Sequence, residues 1–399
     1  MEPFRKKFSV EKIPDLAGKV IIVTGGATGI GKQTVIQLLR CNAKVYVASR
    51  SKSKFEQLLD SLATTDVHMV TGMKFLEIDL SDMGSCISAA KRFAELEDRL
   101  DILIANAALS VVVSTLQGLQ TDGRLVRTTF NRIQPETLSK DGIEIQFATN
   151  YLGHFVIVYS LLSLIQHTAQ MFGEARIVIV ASHAHAMYKP ISKGKIDFES
   201  LGMEGSKTIE NFAEVQASLQ RYGRSKLANI LFARHLYKHL QATGHANILV
   251  NCLNPGTIGT APGTDSAALP PMFSYISSSI VRWTSIPPED GALTTLLLAT
   301  DPEIKSKALN GRYFDVGPLA GKFYYGYSWD ATDSKLSDLA KDEQLAETLW
   351  DWSLRTLRTK KEGFNVGDLD DDRNSAKAVI TGDPCFVPDG KNREQGSTG

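Results

Sequence analysis

Little in this sequence is extreme, and each missing extreme removes a class of function. Four cysteines (Cys41, Cys86, Cys252 and Cys385) are scattered singly over 399 residues. They have neither a CxxC metal spacing nor the density of a disulfide-stapled fold, and read as reduced thiols of a cytosol-like compartment. Charge favours no sign: 44 Lys+Arg stand against 44 Asp+Glu. That balance argues against nucleic acid or an anionic membrane surface as the main partner. No apolar run approaches the roughly 20 residues of a bilayer span. The longest, "FVIVYSLLSLI" at 155–165, predicts a buried helix. The N-terminal "MEPFRKKFSVEKIPDLAGK" is charged where a secretory leader is apolar, and no lipid-anchoring motif ends the chain. The expectation is a soluble, cytoplasmic protein without a membrane span. Internal repeats are absent too.

What is present is an alternation. Apolar runs predict strands at 19–23, 44–48, 74–78, 101–105, 176–180, 247–252 and 312–315. Helical patterns fall between them, at 29–40, 52–62, 84–97, 143–169, 222–243 and 288–299. Continuously apolar strands separated by helices make a parallel sheet covered on both faces. The fold class is therefore α/β, a single doubly wound (Rossmann) domain over 17–330, whose ligands lie at the C-terminal ends of the strands. An arm, 1–16, precedes it. Polar stretches at 109–140 and 183–220 interrupt the alternation and predict two surface insertions or lids. Residues 331–399 predict a C-terminal helix near 335–358 and a polar tail with little order at its end.

Chemistry collects at the strand ends. The first strand runs into "TGGATGIG" and a helix. Gly25, Gly29 and Gly31 allow a tight turn and close approach to a pyrophosphate, which the helix N-terminus around Ile30 would face. The second strand ends at Arg50, followed by Lys52 and Lys54, with no Asp or Glu between Val45 and Lys54. Cations there suit a ribose 2′-phosphate and predict NADP(H) over NAD(H). Asp79 and Leu80 end the third strand, placed to flank an adenine. Asn106 and Ala107 end the fourth, where small residues let a cofactor come close. His183 and His185 lack an evident third ligand, so no metal is expected.

Tyr222 and Lys226 stand four apart on a predicted helix. Eleven tyrosines, each with roughly one chance in fifteen of such a lysine, make the pair alone unremarkable by composition. Its position changes the reading. The helix follows the fifth strand, which ends at Ser182, and Asn150 lies in the helix before that strand. Asn150, Ser182, Tyr222 and Lys226 are thus expected to converge on one cleft. There the lysine and the positive nicotinamide of an oxidised cofactor would together pull the tyrosine pKa down from its usual value near 10, for proton exchange with a substrate oxygen.

Over roughly 17–318 these residues resemble the short-chain dehydrogenase/reductase family. The resemblance rests on "TGGATGIG", "NAA", Asn150, Ser182 and "YGRSK" together. It implies the family's Asn–Ser–Tyr–Lys tetrad, with Tyr222 and Lys226 also touching the cofactor. "NPGTIGT" is similar to the family's segment after the sixth strand, which implies cofactor contacts from Pro255, Gly256, Ile258 and Thr260. "NYLGHF" and "YGRSKLANILFARHL" look most like the retinol dehydrogenase and WW-domain oxidoreductase branch. That likeness implies NADP(H) and lipophilic alcohols or carbonyls of retinoid, steroid or polyketide type, with a role in secondary metabolism open. It also implies a homodimer through the Asn150 and Tyr222 helices. The apolar run 267–283 is read as a lid over such a substrate or as a core helix. Departures are Ala108 in place of the usual glycine of "NAG" and the 40 residues between Ser182 and Tyr222. Two other readings are a non-catalytic NADP(H)-sensing or scaffold protein, against which the complete tetrad argues, and a nucleotide-sugar epimerase or dehydratase, for which the C-terminal tail is short.

Overall fold

The computed structural model describes residues 8–64, 66–109, 137–190, 196, 198, 201, 212–256, 287–316, 329–330 and 333–359. Strand β1 (Val20–Thr24) leads to α1 (Gly29–Arg40), β2 (Lys44–Ser49), α2 (Lys52–Ala63), α3 (Val67–Gly72), β3 (Met73–Glu77), α4 (Met83–Leu96) and β4 (Ile102–Ala105). After the first insertion come a single turn α5 (Ile145–Phe147), a π-helical turn (Ala148–Leu152), α6 (Gly153–Ser160), α7 (Leu162–Phe172) and β5 (Ala175–Val180). A 3₁₀ turn (His183–Met187) and α8 (Phe212–Ala242) precede β6 (Ile248–Asn254), α9 (Pro288–Thr300), α10 (Glu303–Ser306) and β7 (Tyr313–Val316). The chain closes through β8 (Trp329–Asp330), α11 (Asp338–Lys341) and α12 (Glu343–Thr359).

The sheet order is β3-β2-β1-β4-β5-β6-β7-β8, with every pair parallel except β7 and β8. β1 and β5 are buried throughout, as strands covered on both faces must be. The order reverses between β1 and β4, which opens a crevice at their C-terminal ends. One face of the sheet carries an aliphatic core with α1, α2 and α9. The other carries an aromatic-rich core with α4, α6, α8 and α12.

All seven expected strands are present, and α1 occupies the expected 29–40. Three elements differ. The helix expected over 143–169 is broken by the π turn and again at Leu161, whose φ/ψ of −103°/4° leaves the helical region. The Tyr222 helix begins ten residues early, at Phe212, so its first turns fall in what read as insertion. β8 is an antiparallel edge strand of two residues that nothing in the sequence announced. The expected apolar segment 267–283, most of the 109–140 insertion and the tail from 360 lie outside the described residues.

Helix α12 answers the C-terminal expectation. Its Leu345, Leu349, Leu354 and Leu357 are buried at helical spacing. Trp350 packs edge-on to Phe155 and stacks on Phe232, with His235 and His239 close by. Tyr151 and Ser353 share a buried hydrogen bond of 2.6 Å. α12 thus covers the α6–α8 surface. Among the described residues no single helix is long and apolar enough to cross a membrane; only the bent pair Ile145–Ser160 and Leu162–Phe172 has the length and composition together.

Candidate active site

Beyond β1 the chain turns twice in the left-handed region, at Gly25 (φ 65°) and Gly29 (φ 55°), which side chains other than glycine's resist. A Cβ at Gly31 would strike the Gly25 carbonyl and stand 2.7 Å from Asn106 Nδ2. No side chain caps α1 at Thr28, so the first-turn N–H groups and the positive dipole end keep their capacity for an anion. Asn106 fixes this loop from the neighbouring strand. Its Nδ2 donates to the Thr24 carbonyl (2.9 Å), and the N–H groups of Asn106 and Ala107 donate to Thr24 Oγ at 2.9 and 3.0 Å. Ile30 packs on the aliphatic core. These features fit a dinucleotide pyrophosphate.

Arg50 follows β2 with its side chain 62% exposed, and its ion pair among the described residues is a long one, 4.0 Å to Asp79 Oδ1. That carboxylate oxygen is held by Ser81, through its N–H at 3.0 Å and its hydroxyl at 2.7 Å. Lys52 is drawn to Glu56, and Ser51 caps α2 by accepting from the Lys54 N–H. Leu80 is buried, and its carbonyl fills the space a Cβ at Gly153 would need. Gly153 therefore brings α6 hard against the loop that follows β3.

Ser182 follows β5. Its Oγ accepts from the Ala184 N–H at 3.2 Å, and its side chain faces the Tyr222 phenol closely enough to bear on its pKa. Gly223 makes that contact possible: a Cβ there would lie 2.7 Å from the Ala184 carbonyl, so a larger residue would push α8 away from the Ser182 turn. One helical turn on, Lys226 is 1% exposed and donates to the Val180 carbonyl at 2.8 Å. Its Nζ lies 5.8 Å from the centre of the Tyr222 ring. Burial pulls the Lys226 ammonium down to about 7. In the protein without cofactor the Tyr222 phenol rises rather than falls: burial pushes it up and Ser182 opposes. Desolvation penalises both charged forms at once.

Asn150 sits fully buried in the π turn. Its side chain does not reach Ser182, Tyr222 or Lys226 directly. Instead Oδ1 accepts from the Leu109 N–H (2.7 Å), while Nδ2 donates to the Leu109 carbonyl (3.1 Å) and to Ser225 Oγ (3.0 Å). Ser225 in turn donates to the Tyr222 carbonyl at 2.7 Å. Asn150 thus joins the exit of β4 to the backbone that carries Tyr222. Pro255 is buried and Gly256 turns at φ 88° beyond β6; Ile258 and Thr260 lie outside the described residues.

Sequence reasoning missed several participants. Glu144 is buried, accepts from the Gln146 and Phe147 N–H groups, and lies 3.6 Å from Arg224 and 3.9 Å from Arg221. These arginines bracket Tyr222, so one carboxylate ties the start of the Asn150 segment to the Tyr222 helix. His183, with its side chain 61% exposed, places Nδ1 3.2 Å from the buried Asp315, which Lys335 also approaches. Thr24, His154 and Ser225 were likewise passed over. A lone polar residue within an apolar run, as His154 is in "GHFVIV", was the available signal.

The short chain dehydrogenase family model matches residues 19–192. The short-chain dehydrogenase/reductase drtF of Aspergillus calidoustus is 32% identical over 361 residues, 88% of this chain and 96% of that one. Retinol dehydrogenase 14 of Mus musculus is 31% identical, over 84% of this chain and 85% of its own length. The crystal structure of an uncharacterized protein from Mycobacterium paratuberculosis superposes with a TM-score of 0.59 at 23% identity, covering 88% of this chain and 98% of that one. It shares the fold. Sequence likeness at this level, on a sheet whose strand ends carry these residues, places the chain in the short-chain dehydrogenase/reductase family of oxidoreductases, where it resembles the retinol dehydrogenase branch.

Proposed function

We propose that the protein interconverts a lipophilic ketone or aldehyde and its alcohol with NADP(H), chiefly as a carbonyl reductase. The observation that carries this reading is Lys226, buried one helical turn from Tyr222 and donating to the Val180 carbonyl where β5 runs out to Ser182, on the same sheet edge as the glycine loop. A bound nicotinamide cofactor would supply or accept the hydride. Gly25, Gly29, Ile30, Gly31, Asn106 and Ala107 would hold its pyrophosphate side, Asp79 and Leu80 its adenine, and Pro255 and Gly256 its nicotinamide side, with Ile258 and Thr260 proposed from the sequence alone.

Tyr222 gives its phenolic proton to the carbonyl oxygen, or takes it back in the reverse direction. Burial keeps the phenol protonated in the free protein, the form reduction requires. Ser182 donates to the same oxygen. The Lys226 ammonium, in the same dry site, favours the phenolate that forms as the proton leaves. Arg50, largely exposed and weakly paired, supports a preference for a phosphorylated ribose. The lipophilic substrate rests on the apolar run 267–283 and on relatives that bear the name retinol dehydrogenase. A homodimer through the Asn150 and Tyr222 helices would need a face other than the one α12 covers.

The test is turnover of a panel of retinoid, steroid and polyketide-type carbonyls, small keto acids and sugars, each with NADPH and with NADH. Preference for a bulky apolar carbonyl with NADPH is expected. Preference for small charged keto acids or sugars would overturn the substrate class.

A further inference from the structure

We infer that His154 is a positioning residue for the reaction proposed above, tying the root of the glycine loop to the backbone that carries Tyr222. It is buried in α6 and touches both sides of the crevice. Nε2 lies 2.8 Å from Thr24 Oγ, and Nδ1 lies 2.9 Å from the Asn150 carbonyl. From Asn150 the connection runs through Ser225 Oγ (3.0 Å) to the Tyr222 carbonyl (2.7 Å).

The directions of these bonds follow from what each atom can do. The Asn150 carbonyl only accepts, so Nδ1 carries the proton. Thr24 Oγ already accepts two backbone N–H groups, from Asn106 and Ala107. Both lone pairs are used, and its own proton goes to Nε2 at 2.8 Å rather than to the Ile104 carbonyl at 3.3 Å. A neutral imidazole with the proton on Nδ1 satisfies every atom. Burial, with a smaller contribution from the Lys226 charge, pulls His154 down to about 4, so that neutral ring persists across the physiological range. A protonated ring would press a second N–H on a threonine oxygen with no lone pair left.

The bland alternative is a satisfied core histidine whose loss merely loosens the fold. The difference lies in what His154 joins. Thr24 precedes the loop that would hold the dinucleotide, and Asn150 leads to the proton donor. The two halves of a hydride-and-proton transfer must be registered closely, and a misplacement of about 1 Å lowers such rates about a hundredfold. A neutral, doubly bonded ring between them fixes that register.

The experiment has a readout without cofactor and readouts with it. In ¹⁵N-histidine-labelled free protein, the resonances lost in His154→Gln identify the ring, which is expected as the neutral Nδ1–H tautomer at pH 7; an Nε2–H tautomer would overturn the inference. NADPH affinity by calorimetry and kcat on the best carbonyl are then compared for His154→Phe and His154→Gln. His154→Phe should lower kcat about tenfold with the NADPH Kd within about threefold, and His154→Gln, whose amide donates and accepts at similar spacing, should recover most of the rate. Wild-type kcat in His154→Phe would overturn the inference, as would equal impairment of Phe and Gln variants with affinity falling in parallel. Tyr222→Phe is the control for the underlying reading: if it turns over normally, the site assignment fails; if it is inactive while His154→Phe is not, only this inference fails. Should His154→Phe not fold, the tautomer and the Gln variant decide.

Discussion

The two sides of the crevice are built by opposite means. The glycine loop is made by leaving side chains out: Gly25 and Gly29 take up left-handed backbone, Gly31 leaves room for the Gly25 carbonyl, and neutral Thr24 and Asn106 tie the strand ends together. The Tyr222 side is made by putting ionisable side chains where water is scarce. Lys226 is buried against a carbonyl, Tyr222 stands one helical turn before it beside Ser182, and Glu144 is sunk between Arg221 and Arg224. The first side sets a shape and tolerates pH. The second sets protonation states, and its properties move with every change in hydration or charge. A shape fails when an atom is added; a protonation state fails when one is removed.

The contrast predicts distinct ways of failing. Gly31→Val adds atoms to the loop and should weaken NADPH binding by more than about a hundredfold, read by calorimetry; unchanged affinity would show that the loop does not hold the dinucleotide. Lys226→Met, on the other side, should lower kcat/KM about a hundredfold by removing the charge that favours phenolate, a loss that steady-state kinetics would show at saturating NADPH as well. Arg50→Asp should affect cofactor choice alone. Wild type is expected to favour NADPH over NADH by roughly one to two orders of magnitude and the variant to reverse that order, whereas a wild-type preference for NADH would make Arg50 an ordinary strand-end residue.

The smallest effect is on stability. Lys226 titrates near 7 when folded and near 10.4 when unfolded. Between those values the unfolded chain binds more protons, so stability from this group rises with pH, by at most about 1.4 kcal/mol per unit. Urea midpoints at pH 7.5 and 8.5 should separate further in the wild type than in Lys226→Met; equal slopes would mean that the lysine is not desolvated. On the acid side, His154 and His235 are held near 4 by burial, below the usual 6.5. Stability should therefore fall as pH drops from 6.5 towards 4, and His154→Gln should fall less steeply.

The same contrast governs what could be read from the residues alone. The glycine loop was legible because its requirement is local: a strand, three glycines at fixed spacing, a helix. The strands were legible because burial on both faces demands unbroken apolar runs. The break inside 143–169 was not, since a helix buried on nearly every side has no periodicity to interrupt. The early start of α8 was hidden by polar residues in its first turns, such as Glu214, Gln216 and Gln220, which resemble loop as much as solvated helix. Ser182, Tyr222 and Lys226 could be named from order along the chain. The direction of the Tyr222 shift could not, because it depends on how much water the fold removes around both partners. Nor could Asn150's engagement of Leu109 and Ser225, which are 41 and 75 residues away.

The central claim is that Tyr222 is the proton donor of a site whose cofactor half is independent of it. Tyr222→Phe removes one oxygen and keeps the ring. Measured with NADPH and the best carbonyl substrate of the wild type, it should lose turnover by about a thousandfold or more while its NADPH Kd stays within about threefold. Turnover near the wild-type rate, with the nucleotide still bound, would contradict the account.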